Sequence, residues 1–137
     1  MNQFLYTLLG SYTLAGYVRT ALATGKLRLY ASPLTLNPSI LKAALVAAEA
    51  TYDGYAAYVI TTWNAVYYDP SGGSSFQAVH QFDFTPGAGT VNTVYGFWVE
   101  DTAGNLLVVG NLPAPVVMQA LGDSIPMSVT LNYGASA

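Results

Sequence analysis

The sequence predicts a single mainly β domain: an antiparallel, jelly-roll-like sandwich with one or two helices toward its N-terminus. Three observations predict it. From Tyr55 onward, short β-branched and aromatic runs alternate with Gly-, Pro-, Asn- and Asp-bearing turns, spaced by roughly eight to twelve residues as in sandwiches. Several of those runs alternate apolar with polar residues, the period of a half-buried strand. At 137 residues the chain fits one domain, which can bury roughly two-thirds of the surface its unfolded form exposes.

Residues 1–24 read as an N-terminal arm or helix, and 25–137 as the β body of the same domain. Leu14, Val18, Ala21 and Leu22 recur at helical spacing before Gly25, which predicts a helix over 12–24. In KLRLYAS, Leu27 and Leu29 alternate with Arg28 and Tyr30 as in a strand, and Pro33 and Pro38 bracket a turn. Asn37 before Pro38 is an N-cap followed by a first-turn proline, so SILKAALVAAEA predicts a helix over about 38–49. Gly54 then turns the chain into strands.

YAAYVITTW and AVYYD carry strand formers, and DPSGG is a turn. SFQAVHQFDF sets Phe76, Ala78, His80, Phe82 and Phe84 on one face, with Gln77, Gln81 and Asp83 on the other. TVYGFWVED is a strand joined to NLLVVGN through DTAGN, where Gly104 supplies the left-handed residue of a short hairpin loop. Pro113 and Pro115 restrict their segment to a sheet edge. In IPMSVTLNY, Ile125, Met127, Val129, Leu131 and Tyr133 face inward, while Pro126, Ser128, Thr130 and Asn132 face outward.

Charged residues make up 8% of the chain and the hydrophobic set 53%, against about 25% charged in ordinary soluble domains. Neutral polar side chains and eleven tyrosines must do much of the solvating, which points to a homo-oligomer or lattice component whose flanks are covered. The four basic residues, Arg19, Lys26, Arg28 and Lys42, all precede the seven acidic ones, a split that could steer one subunit's basic end toward a neighbour's acidic body. Four scattered basic residues and a pI near 4.6 argue against a nucleic-acid partner. The uncharged stretch 1–18 lacks a basic n-region and is too short and polar for a membrane span. It reads as an arm that packs on protein, with Phe4, Leu5, Tyr6, Leu8, Leu9, Tyr12 and Arg19 as candidate assembly contacts.

No catalytic constellation emerges. With one histidine and no cysteine, His80 is the sole candidate base, and in a regular strand Asp83 points to the opposite face. Asp53, Asp69, Asp101 and Asp123 each stand beside or close to Gly or Pro, where turn duty explains them. No acid-dense loop suits calcium, zinc lacks ligands, and the glycine-bearing stretches match no phosphate or dinucleotide motif. No enzyme activity, metal or cofactor is expected. Tyr52, Tyr55, Tyr58 and Trp63 form a candidate aromatic contact surface, for protein or for a sugar.

The succession LRLYASPLTLNPS, EATYDGYA, VYGFWVEDTAGNLLVVGNL and GDSIPMSVTLNY resembles a group of small virion proteins of tailed bacteriophages. Leu27, Leu29, Tyr30, Pro33, Tyr52, Gly54, Tyr55, Tyr95, Gly96, Gly104, Gly122 and Asp123 carry the resemblance across about residues 26–133. It implies a jelly-roll-like capsid cement or decoration protein, a trimer on the outside of the head, assembled in the host cytoplasm and bound to the major capsid protein between capsomers. The chain departs from the pattern in its longer uncharged N-terminal region and its fuller helix over 38–49. A tail-fibre or baseplate module for receptor or carbohydrate binding is the alternative, and a subunit of another shell or filament is a third.

Overall fold

The computed structural model describes residues 8–69 and 73–133. Two helices and seven strands run in the order α1 (Leu8–Ala21), β1 (Lys26–Tyr30), α2 (Lys42–Ala47), β2 (Tyr58–Val59), β3 (Tyr67–Asp69), β4 (Gly73–Asp83), β5 (Asn92–Glu100), β6 (Leu106–Met118) and β7 (Ser124–Tyr133). They form a β-sandwich of two antiparallel sheets, one ordered β2-β1-β5-β6 and the other β3-β4-β7. The chain changes sheet after β2, β4 and β6, so the mainly β sandwich that the sequence predicts is what forms.

The main core lies between the sheets, where alternation along each strand delivers its residues. Phe76, Ala78 and Phe82 of β4, with Phe84 just beyond it, meet Ile125, Met127 and Val129 of β7, Leu27 and Leu29 of β1, and Val94 and Val99 of β5. Helix α1 packs on β4 and β7, and Ala15 and the adjoining Leu22 join the same core. Residues 14–22 are thus part of the domain body rather than a free arm. A second, smaller core covers the other face of the β1-β5 pair: Tyr30 and Trp98 lie under Leu34, Leu36, Ile40 and Leu45.

That second core explains why the helix expected over 38–49 is short. Asn37 does cap a turn, its Oδ1 accepting the Ser39 N–H and its carbonyl the Ile40 N–H. Leu41 then turns extended, and α2 runs only from Lys42 to Ala47. The Ala31 N–H donates to Ala48 and the Ala50 N–H to Leu29, so the chain beyond α2 is drawn into bridging β1. Covering Tyr30 and Trp98 outweighs helix propensity here. YAAYVITTW likewise yields only β2, because the segment crosses between sheets, Ile60 bonding to Gly25 and Asn64 to Gln77.

Pro113 and Pro115 sit on β6, the edge of the four-stranded sheet, where the ladder jumps from Val94 opposite Val116 to Gly96 opposite Asn111. Gly96 is required by proximity: a Cβ there would strike the Tyr30 ring and the Gly110 carbonyl. The Tyr30 hydroxyl donates to that carbonyl at 3.0 Å and is also hydrogen-bonded to the Asn111 side chain. Overpacking of this kind costs roughly 1–3 kcal/mol. Gly96→Ala is therefore expected to lower unfolding free energy by about that amount in urea titration, while Gly89→Ala, with open space around its Cβ but a positive φ, perturbs only the loop before β5.

Candidate functional site

The N-terminal candidates divide into three groups. Phe4, Leu5 and Tyr6 lie outside the described residues. Leu8, Leu9 and Tyr12 fall on α1, and Arg19 closes its last turn. The Arg19 guanidinium is engaged within the chain. Its Nε donates to the Asn64 carbonyl at 2.7 Å and its Nη2 to the Trp63 carbonyl at 2.8 Å, while the Trp63 indole donates back to the Leu22 carbonyl at 3.1 Å. These bonds fasten α1 to the crossing segment before β3.

The aromatic group is mostly core rather than contact surface. Tyr52 and Trp63 are buried. Tyr52 stacks on Phe84 with centroids 6.3 Å apart, Tyr55 on Phe82 at 6.1 Å, and Trp63 meets Phe76 edge-on at 5.1 Å. Burial pushes the Tyr52 hydroxyl up to about 12, with the Asp83 charge adding to it. The Tyr55 hydroxyl, raised by burial, donates to Glu49 at 2.9 Å and accepts the Leu29 N–H. Tyr55 and Tyr58 are half-buried, and Tyr58 lines a shallow cleft of about 320 Å³ with His80, Gln81, Asp83 and Thr85. One face of its ring is already taken by His80, stacked at 3.7 Å and 6°. Burial lowers the His80 pKa, and the Asp83 charge only partly opposes it. Spacing could not separate core rings from surface rings, because both occur where strands cross between sheets.

The charges, which the sequence sorts by position, are joined by the fold. Glu100, 4% exposed at the end of β5, accepts Arg28 Nε at 3.1 Å, Lys42 Nζ at 3.0 Å and the Trp98 indole at 3.4 Å. Arg28 also reaches Glu49 at 2.7 Å. Burial alone would raise the Glu100 carboxyl, but the Lys42 hydrogen bond and the Arg28 charge hold it below the usual 4.5. Four of the charges that the sequence sorts, Arg28, Lys42, Glu49 and Glu100, are thus paired within the subunit. Lys26 is the one basic residue with no partner among the described residues.

Three of the acids serve turns. Asp53 accepts the backbone N–H groups of Gly87, Gly89 and Thr90; Asp101 accepts from Asn105; Asp123 accepts from Gln119 and Ala120. Backbone donors hold Asp53, and the Asn105 side chain holds Asp101, below the ordinary aspartate value. The side chain of Asp69 lies outside the described residues.

Among the described residues, what the folded chain turns outward is mostly neutral, with Lys26 and Asp83 as the exposed charges. Tyr17 is 73% exposed, Leu41 72%, Val79 68% and Leu121 79%, with Val46, Val59, Tyr67, Val91, Leu107 and Val117 also outside. The outer face of β4 and β7 shows Val79, Gln81, Asp83, Pro126, Ser128, Thr130 and Asn132. The alternation in IPMSVTLNY predicts those outward positions. That β7 lies at the border of its sheet depends on strand order, which alternation does not encode. Comparison of the chain with protein-family models, with curated proteins and with solved structures finds no match.

The Glu100 network gives a signed pH dependence. A carboxyl whose folded pKa lies below its unfolded value contributes stability above the unfolded value and loses it as pH falls through the folded one. Unfolding free energy is therefore expected to decline as pH drops below about 4.5. Glu100→Gln removes that component and costs about 1–3 kcal/mol at neutral pH, leaving Lys42 with the Gly104 carbonyl and Arg28 with Glu49. Denaturant titrations of both chains between neutral pH and pH 3 check this, and parallel curves would contradict it.

Proposed function

We propose that the chain is a non-enzymatic structural protein that works by covering and being covered: a homo-oligomer that binds a larger particle through uncharged surfaces. The observation that carries this reading is where its few charges go. Arg19, Arg28, Lys42, Glu49 and Glu100 hold the subunit together and Asp53, Asp101 and Asp123 shape turns, so that among the described residues Lys26 and Asp83 are the exposed charges on a surface otherwise made of neutral polar and apolar side chains. Such a surface favours association by area and shape over recognition by charge.

The motif succession across residues 26–133 supports a tailed-phage head as the particle, with the major capsid protein as partner and a trimer as the unit. In this proposal the protein is a cement or decoration protein on the capsid exterior, clamping capsomers and needing no reactive group. Residues 1–7, with Phe4, Leu5 and Tyr6, supply an additional contact to the capsid or a neighbouring subunit. The sugar-binding alternative has less to stand on, since two of its four rings, Tyr52 and Trp63, are in the core.

Light scattering of the purified chain, followed by co-sedimentation with empty phage heads stripped of accessory proteins, tests the proposal. The expected result is an oligomer that saturates the heads, with lower occupancy after deletion of residues 1–7. Deletion of residues 1–24 is expected to unfold the chain, because it removes Ala15 and Leu22 from the core. A monomer that ignores the heads would overturn the proposal.

A further inference from the structure

Four strands border the two sheets: β2 and β6 on one, β3 and β7 on the other. A border strand offers unpaired N–H and C=O groups to any second strand, and proteins blunt such edges with short strands, prolines, bulges or charge. Three of the four are short or interrupted here. β2 has two residues and β3 three. β6 is long, but Pro113 and Pro115 interrupt it and its ladder with β5 slips twice. β7 is blunted least: its ten residues contain no charge, carry one proline, Pro126, near the start, and pair with β4 without a slip from Ser124 to Tyr133. Among the described residues, no strand lies along its outer side.

We propose that the outer edge of β7 pairs antiparallel with the same strand of a second copy about a two-fold axis, joining two three-stranded sheets into one of six. This rests on the assembly reading and names its contact. Pro126 sets the phase. It has no N–H, so in an unbroken ladder it occupies a position whose N–H would point away from β4. Alternation then turns the N–H and C=O groups of Ser128, Thr130 and Asn132 outward as well.

A strand that pairs with its own image must bring like side chains together, which is tolerated only when they carry no charge. An axis at Thr130 sets Thr130 opposite its counterpart and Ser128 opposite Asn132, and leaves Pro126 outside the new ladder. Side chains at all four positions are exposed on the outer face, so no core residue must move. The occupant is a second copy because β7 offers no charge by which to select another partner, while its own antiparallel image answers each outward donor and acceptor from Ser128 to Asn132. An edge contact alone falls short of the roughly 1,200 Å² that stable complexes bury. In solution the pair is weak, and on a particle surface it links neighbouring units.

Sedimentation of the full chain, Thr130→Lys, Thr130→Glu and an equimolar mixture of the two variants tests this, with thermal melts as the folding control. The unsubstituted chain is expected to double its mass with concentration, monomer to dimer or trimer to hexamer. Each variant sets like charges face to face and weakens the doubling by about tenfold or more, and the mixture restores it. Should either variant fail to fold, the other still reports. Doubling that neither variant weakens, or a stable oligomer that does not double, would overturn the β7 pairing and leave the assembly reading standing. A monomer at every concentration would overturn both.

Discussion

Glu100 is the point on which the rest of this structure depends. Its carboxylate lies at the end of β5, almost wholly removed from water, and is shared by Arg28 of β1 and Lys42 of α2. A buried carboxylate without partners would cost several kcal/mol. With them it fixes which residue of β1 stands beside the end of β5 and where the covering segment 31–48 docks. Arg28 carries the linkage on to Glu49, and Glu49 to the Tyr55 hydroxyl. Five segments of a charge-poor chain are thus held by one connected group of polar atoms.

That economy has a consequence for the surface. Most charged side chains with defined partners face other parts of the same subunit or close its turns, so solvation falls to Ser, Thr, Asn, Gln and Tyr. Neutral faces of this kind, with Val79, Tyr17 and Leu121 standing out of them, suit a protein whose neighbours replace water. They also fit the uneven treatment of the sheet borders, three of which are short or interrupted by prolines and slips while the fourth carries only Pro126 near its start.

Much of the β body is legible in the sequence, because alternation with period two is a direct image of burial. The inward residues of β4 and β7 and the Gly104 hairpin stand where the pattern puts them, and the two prolines of β6 mark a sheet edge. The losses occur where tertiary demand outranks local preference. An alanine-rich stretch that favours helix gives way after six residues because Tyr30 and Trp98 must be covered and β1 needs a bridging neighbour. The aromatic residues from Tyr52 to Trp63 look alike in sequence, yet Tyr52 and Trp63 are interior and Tyr58 borders a cleft. Charge sorting along the chain is visible in the sequence, whereas its cancellation through Glu100 needs β1, α2 and β5 in place.

The central claim is that association runs through uncharged surfaces, and salt tests it most directly. At about 1 M salt the screening length falls to roughly 3 Å, and contacts steered by exposed charge weaken. Sedimentation velocity of the purified chain from low salt to that concentration is predicted to show association unchanged or strengthened. Dissociation with rising salt would contradict the account, as would a monomer at every salt concentration.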